Sequence, residues 1–336
     1  MTFSVPKGAC WQVLRSDCLD VIPVGAYAQY IHSGSMAQWQ HAQYYTFLSA
    51  HGPGKYTLST PVIELGNALL GDAEHLLNHS AEHQAMLHHA ASSSEWKSSA
   101  WFLVTAYYWA FFAAQALTRL VGQTMLFLDG SMASVLAQVS GVKGGPGTYR
   151  IRPGPVTGTH RVVDVQKSKD RQHEGVWKVA LKYLEAVGST VGGSFQEVRL
   201  YSSLARAATR FGYDWPSAVR NIVNYRPGFG YRSIINDDLL KCVPYASALT
   251  VGSLDWLLSE YDGLAAKAQD IDQFEDERST FGKLVLLTAA LLHAIASDLY
   301  SELHLRGSLD RRWQNARTRF ARREGLGASV YGWPFT

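Results

Sequence analysis

Apolar residues recur along most of the chain with the three-to-four-residue spacing of an α-helix. The first clear stripe lies in Gly71–His89, where leucines and alanines fall on one side of a helical wheel. The same period predicts further helices at Glu174–Val187, Phe195–Phe211, Trp215–Tyr225, Ser253–Gln269, Gln273–Glu302 and Leu309–Arg323. The chain is therefore predicted to be mostly α and to form a helical bundle.

One segment, Ser98–Gly122, is apolar on every side of the wheel and carries no charge between Lys97 and Arg119. Such a helix is either buried in a large domain or placed in a bilayer. Polar groups interrupt it at Thr105, Tyr107, Tyr108 and Gln115. A second apolar run, Leu284–Ala296, is shorter than the roughly 20 residues that cross a bilayer. We therefore expect the buried central helix of a soluble, cytoplasmic protein with no membrane partner.

Two short segments alternate apolar and polar residues with the period of two that is typical of β-strands. They are Tyr149–Arg152 and Thr159–Val165, and the glycines and prolines between them fit a hairpin connection. The sequence thus predicts a two-stranded β-ribbon, inserted at about residues 141–172 of a helical domain that spans 61–336. Residues 1–60 mix short apolar runs with Gly and Pro, and we expect this segment to pack on the body.

The composition indicates the class of protein but does not indicate which reaction, if any, it catalyses. The 336 residues are 47% hydrophobic and 18% charged, which is typical of a globular protein and argues against disorder. A net charge of +3 is too small to imply an anionic partner, so any such claim depends on local clusters. The three cysteines match no metal-binding spacing, and their odd number favours reduced thiols in the cytosol.

A row of histidines recurs every four residues in the first predicted helix, at His75, His79 and His83. Two histidines at this spacing share one side of a helix and could bind a metal ion. A complete site also needs ligands from elsewhere and groups that orient them, and no accompanying motif supplies either. We interpret the row as a polar surface and expect no cofactor, while a metal site remains the alternative.

The last predicted helix is rich in arginine. Six of its residues from 311 to 323 are arginines: Arg311, Arg312, Arg317, Arg319, Arg322 and Arg323. A guanidinium binds phosphate through two parallel hydrogen bonds, so this helix could contact nucleic acid, with Arg312, Arg317, Arg319 and Arg323 as candidates. The alternative is a solvated face whose arginines pair with acids in Asp270–Glu277.

A third cluster ends the helix at Trp215–Tyr225. Arg220 and Asn224 are four residues apart on one polar face, and Asn221 and Tyr225 share another. With Arg226, which follows, they could bind a phosphate or a carboxylate. The alternative is that Arg220 caps the last carbonyls of a neighbouring helix.

The central helix contains the run Ala106-Tyr-Tyr-x-Ala110-Phe-Phe-Ala-Ala-Gln-Ala-Leu117. This run resembles a helix of the HEPN (higher eukaryotes and prokaryotes nucleotide-binding) superfamily, which also carries an Arg-Asn helix later in the chain. The resemblance implies an all-α, usually dimeric protein of toxin–antitoxin or phage-defence systems. Active members cleave RNA without metal through an Arg-x4–6-His motif, in which Arg steadies the phosphate and His assists proton transfer.

In this chain the matching residues are Arg220 and Asn221, and Tyr225 takes the place of the histidine. If the chain is catalytic, Tyr225 or a histidine of another helix, such as His293 or His304, must perform that role. The first hypothesis is therefore an RNA- or nucleotide-binding, HEPN-like protein, acting as a homodimer or with a protein partner. A non-catalytic helical scaffold is the second hypothesis, and a metal-dependent enzyme built on the histidine row is the third.

Overall fold

The computed structural model describes residues 4–28, 34–92, 98–225, 241–242, 245–246, 249, 252–269, 271 and 277–324. Its helices are α1 (Ala9–Val21), α2 (Met36–His41), α3 (Val62–Ser92), α4 (Ser99–Leu120), α5 (Gly130–Ser140), α6 (Gln172–Gly188), α7 (Phe195–Phe211), α8 (Trp215–Tyr225), α9 (Leu254–Lys267), α10 (Arg278–Leu305) and α11 (Arg311–Arg323). Its strands are β1 (Thr46–Ala50), β2 (Lys55–Pro61), β3 (Thr124–Leu128), β4 (Gly147–Thr157) and β5 (His160–Lys167). The prediction of a mostly α chain is confirmed.

Helix α4 lies at the centre of the bundle. The Ser98 side chain caps its first turn by accepting a hydrogen bond from the Trp101 amide. α3, α6, α8 and α10 pack around it, which explains why its apolar residues face every direction. By length and composition alone α4 and α10 could each cross a membrane. In the fold, however, 72% of the most apolar 18-residue stretch of α4 and 89% of that of α10 are buried.

The prediction of a two-stranded ribbon is wrong in its extent. The two predicted strands belong to a five-stranded antiparallel sheet of order β1-β2-β5-β4-β3. The hairpin β4–β5 is present, and it turns at Gly158, whose φ of 61° suits a tight turn. A register shift between Pro153 and Val156 lets β4 continue past its prolines. The N-terminal segment supplies β1 and β2, and β2 crosses the predicted boundary at residue 60.

The sheet and the bundle enclose separate hydrophobic cores. The larger core surrounds α4 and α10 and includes α1, α6, α7 and α9. The smaller one lies between one face of the sheet, α2, α5 and the first turns of α3. Both pass through α3, so this long helix joins the sheet to the bundle. The three cysteines are buried and form no disulfide among the described residues, and two of them lie in α1.

Candidate functional site

Helices α4, α6 and α8 meet around Tyr107 and Tyr108 of the central helix, α4. The apolar side of α8, with Val219, Ile222 and Val223, is buried against the bundle. This packing places Arg220 at the border between the core and solvent, where its side chain is half-buried. The next residue, Asn221, is exposed, so the cluster opens to the surface.

Arg220 lies among aromatic rings and neutral oxygen atoms. Its Nη1 donates to Oδ1 of Asn221 at 2.7 Å, and its Nη2 donates to the hydroxyl of Tyr108 at 3.2 Å. Its guanidinium carbon lies 5.6 Å, 5.8 Å and 5.9 Å from the ring centroids of Tyr107, Tyr108 and Tyr225. Within the described part of the chain, Nε is buried without a hydrogen-bond partner and no carboxylate forms an ion pair with this side chain.

Two fully buried arginines of the protein are compensated by acids. Arg119 pairs with Asp72 at 2.9 Å, and Arg161 pairs with Asp20 at the same distance. A half-buried cation with neutral partners has lost part of its hydration and gained no counter-charge. Arg220 is therefore suited to bind an anion from solution.

His173, from the first turn of α6, completes the cluster. Its Nδ1 lies 2.7 Å from the Tyr107 hydroxyl, and its ring stacks on Phe111 at 4.2 Å between centroids. Burial, with the positive charge of Arg220, lowers the pKa of His173 to about 4. The imidazole is consequently neutral at pH 7 and can accept a proton.

The Tyr107 hydroxyl holds this histidine in place. It also contacts Ser217 Oγ at 3.1 Å and accepts a hydrogen bond from Trp177 Nε1 at 3.3 Å. These three partners equal the capacity of a phenol, which donates one hydrogen bond and accepts two. Burial raises the pKa of Tyr107 to about 12, so the hydroxyl keeps its proton at neutral pH.

The histidine row of α3 borders the same site. The ring of His83 is tilted against those of Tyr108 and Phe112, with centroids 5.8 Å and 5.3 Å apart, and the ring of His79 lies 5.2 Å from that of Phe112. His75 is exposed. Among the residues with described positions, no group of three or more His, Cys, Asp or Glu side chains could hold a metal ion. The row therefore gives no structural support to a metal-dependent enzyme.

The residues that contact Arg220 differ in part from those predicted to share its face of the helix. Arg220 contacts Asn221 and Tyr225, whereas Asn224 is exposed and has no described contact with it. Among the described residues, the hydrogen-bond partners of Arg220 are the side chains of Asn221 and Tyr108, which gives no support to the alternative that it caps backbone carbonyls of a neighbouring helix. Arg226 lies outside the described residues.

The arginines of α11 have different environments. Arg317 is buried and forms an ion pair with Glu74 at 2.6 Å, which removes it from the candidate RNA contacts. Arg312 and Arg319 are exposed, and Arg323 is 2.5 Å from Glu324. Most of Asp270–Glu277, the acids predicted to pair with this helix, lies outside the described residues.

The two histidines predicted as substitutes do not reach Arg220. His293 is buried on α10 beside Ser80 and Trp109. Burial, with the positive charge of Arg311, lowers the pKa of His304. Sequence reasoning missed His173, which belongs to no motif and reaches Arg220 only through the packing of α6 on α4. The many aromatic residues of α4 are the one sequence feature that points to the face of this helix where His173 packs.

Comparisons with protein-family models, curated proteins and solved structures gave no significant match to this chain. The HEPN resemblance therefore rests on the residues of α4 and α8 alone, and membership of that family stays a prediction.

Proposed function

We propose that this protein binds RNA through Arg220 and cleaves it without metal, as a HEPN-like ribonuclease. The observation that supports the proposal best is the half-buried guanidinium of Arg220, whose described partners are neutral. A phosphodiester provides the missing negative charge, and its oxygen atoms match the planar fork of arginine.

Features around Arg220 favour RNA over a small anion. Tyr225 is 72% exposed, and its ring lies beside Arg220, where an unstacked base can pack on it. Asn221, also exposed, can hydrogen-bond to a base edge or a phosphate oxygen. An RNA strand would thus place a phosphate at Arg220 and an adjacent base on Tyr225.

The cleavage step uses the 2′-hydroxyl of the RNA as the nucleophile. Neutral His173 removes the proton of this hydroxyl through Nε2 while Nδ1 stays bonded to Tyr107. The 2′-oxygen attacks phosphorus, the bond to the 5′-oxygen breaks, and the leaving oxygen takes a proton from the Tyr225 hydroxyl. Arg220 stabilises the negative charge that develops on the phosphorane. The products are a 2′,3′-cyclic phosphate and a 5′-hydroxyl end.

The biological setting follows from the resemblance. We propose a cytoplasmic protein of an RNA-directed stress or phage-defence system that acts as a homodimer or with a protein partner. The exposed Arg312, Arg319 and Arg323 of α11 would add positive charge for the RNA strand.

The test is incubation of the full chain with single-stranded RNA in excess chelator, with analysis of the product ends. We expect cyclic-phosphate ends from the wild type, and a loss of about 100-fold or more in rate for Arg220→Gln and His173→Gln. Arg206→Gln, an equal charge change at a side chain that is 64% exposed on α7, should keep the wild-type rate.

Cleavage only after addition of a metal ion would contradict the mechanism. RNA binding that depends on Arg220 without any cleavage would retain the phosphate site and remove the catalytic step. If Arg220→Gln changes stability or assembly but neither RNA binding nor cleavage, the protein is a helical scaffold.

A further inference from the structure

A cleft of about 680 Å³ lies between the sheet and α6, away from Arg220. Its lining combines charged residues of β2, β4, β5 and α6 with the loop Ser168–Asp170. This volume falls within the range of pockets that bind small molecules. The proposed RNA site does not use any of its residues.

The wall formed by the sheet is a row of residues in register across four strands. Met125 of β3 pairs with Arg150 of β4, Arg150 pairs with Gln166 of β5, and Gln166 pairs with Lys55 of β2. Directly opposed residues of neighbouring strands point to the same face. The four side chains therefore form a continuous strip about 14 Å long, given the usual strand spacing.

The lining is strongly cationic. Its positive side chains are Lys55, Arg150, Lys169, Lys178 and Lys182, and its acid is Asp170. Lys167 also borders the cleft, but its Nζ donates a hydrogen bond to the carbonyl of Gly144 on the other face of the sheet. Lys178 is neutralised by ion pairs with Asp170 and Glu174 at 2.7 Å and 2.6 Å. In the described structure the other four cations form no ion pair. Like charges this close together repel one another, so an anion in the cleft relieves them.

Arg150 is the most confined of these cations. It is half-buried, its Nη2 donates to Oε1 of Gln123 at 2.8 Å, and its Nε is buried without a described partner. Burial, with Arg152 nearby, lowers the pKa of the Arg150 guanidinium. A neutral amide is its described hydrogen-bond partner, so the guanidinium lacks a counter-ion at the wall of the cleft.

The floor of the cleft is apolar. Met125 and Val179 are buried there, and a Cβ atom on Gly175 would lie 2.4 Å from Cε of Met125. The glycine thus lets α6 approach β3 closely and keeps the methionine at the base. An apolar floor under a cationic rim is complementary to a molecule with a flat apolar part and a highly charged part.

We propose that this cleft binds a small ligand that carries a polyphosphate group, with the phosphates on Arg150 and the lysines. Lys178 and Lys182 of α6 face the cleft, whereas His173 of the same helix faces Tyr107. The two sites therefore use different sides of α6, and the inference does not depend on the proposed RNA site.

The experiment is calorimetric titration of the full chain with inorganic tripolyphosphate and, separately, with ATP, both in chelator. We expect saturable binding of at least one probe, weakened about tenfold or more by Arg150→Gln. The matched control is Arg152→Gln, two residues along the same strand and outside the cleft lining, which should change the affinity less than about threefold.

The double variant Lys55→Gln/Lys169→Gln changes exposed side chains and covers the case in which Arg150→Gln fails to fold. It should weaken binding and reduce its dependence on salt. Equal affinity for both probes would assign the ligand as a free polyphosphate, and tighter binding of ATP would assign a nucleoside polyphosphate. The inference is overturned if neither probe binds at millimolar concentration, if both sets of cleft variants bind like Arg152→Gln, or if Arg220→Gln abolishes the binding instead.

Discussion

Two clusters of the bundle contain the same three residue types. In one, the Arg317 guanidinium lies 4.9 Å from the ring of Tyr300, and its charge acts on His293. In the other, Arg220 lies 5.6 Å from the ring of Tyr107, and its charge acts on His173. Burial, with the neighbouring arginine, lowers the pKa of each histidine to about 4.

The clusters differ in what compensates the arginine. Arg317 pairs with the buried carboxylate of Glu74, and its charge is used inside the protein to fix α11 on α3. Arg220 has neutral partners and is open to the surface through Asn221 and Tyr225. The same residue types thus stabilise the fold where a buried acid balances the arginine, as at Arg317. They are suited to bind a ligand where the arginine has neutral partners and is open to the surface, as at Arg220.

The largest expected effect is a loss of stability at the cluster of Arg317 and Glu74. Arg317→Gln leaves Glu74 buried without its counter-charge, which should lower the free energy of unfolding by about 3–5 kcal/mol. Urea unfolding measures this loss. Arg319→Gln, on the exposed side of the same helix, should change it by less than about 0.5 kcal/mol. If the two variants unfold alike, the Glu74 pair does not fix α11.

The second effect is a pH dependence that originates at His293. The pKa of about 4 in the folded state lies below the ordinary value of 6.5, so folding favours the neutral ring. This contribution is fully present above pH 6.5 and is lost as the pH falls towards 4, up to roughly 3 kcal/mol. Replacing His293 with Gln should make the stability profile between pH 6.5 and 4 less steep and leave the slope that is due to His173, and replacing the exposed His75 should not. Parallel profiles for the two variants would contradict the burial of a neutral His293.

The third effect separates the two histidines. A phosphate bound at Arg220 offsets the charge that acts on His173, so RNA should raise the pKa of His173 by about 1. His293, whose neighbour is already paired with Glu74, should keep its pKa. Titration of the two imidazole rings by NMR, with and without a non-cleavable RNA, measures both values. Equal shifts at the two rings would mean that RNA acts on the whole bundle and not at Arg220.

Local sequence patterns predicted the helices well but missed most of the sheet. Helices α7 and α8 begin and end where the apolar period predicts. β1 and β3 have five residues each, too few to show a period, and β2 joins the rest of the sheet by pairing with β5, which lies far away in the chain. Pairing of this kind has no local signal.

The candidate site was predicted in part for the same reason. Arg220, Asn221 and Tyr225 belong to one helix, so their spacing indicated a cluster. His173 comes from α6 and reaches Arg220 only because both helices pack on α4. Nor could spacing show that Arg317 has a buried acid whereas Arg220 has none among the described residues, because Glu74 lies on a distant helix.

The central claim is that Arg220 holds its charge for an external phosphate. Its most direct test is the affinity of the full chain for a 2′-O-methyl RNA, which cannot be cleaved, together with the unfolding free energy of the same samples. Arg220→Gln should lose about tenfold or more in affinity and less than about 1 kcal/mol in stability, and Arg206→Gln should lose little of either. Unchanged RNA affinity in Arg220→Gln, combined with a large loss of stability, would show that Arg220 serves the fold as Arg317 does.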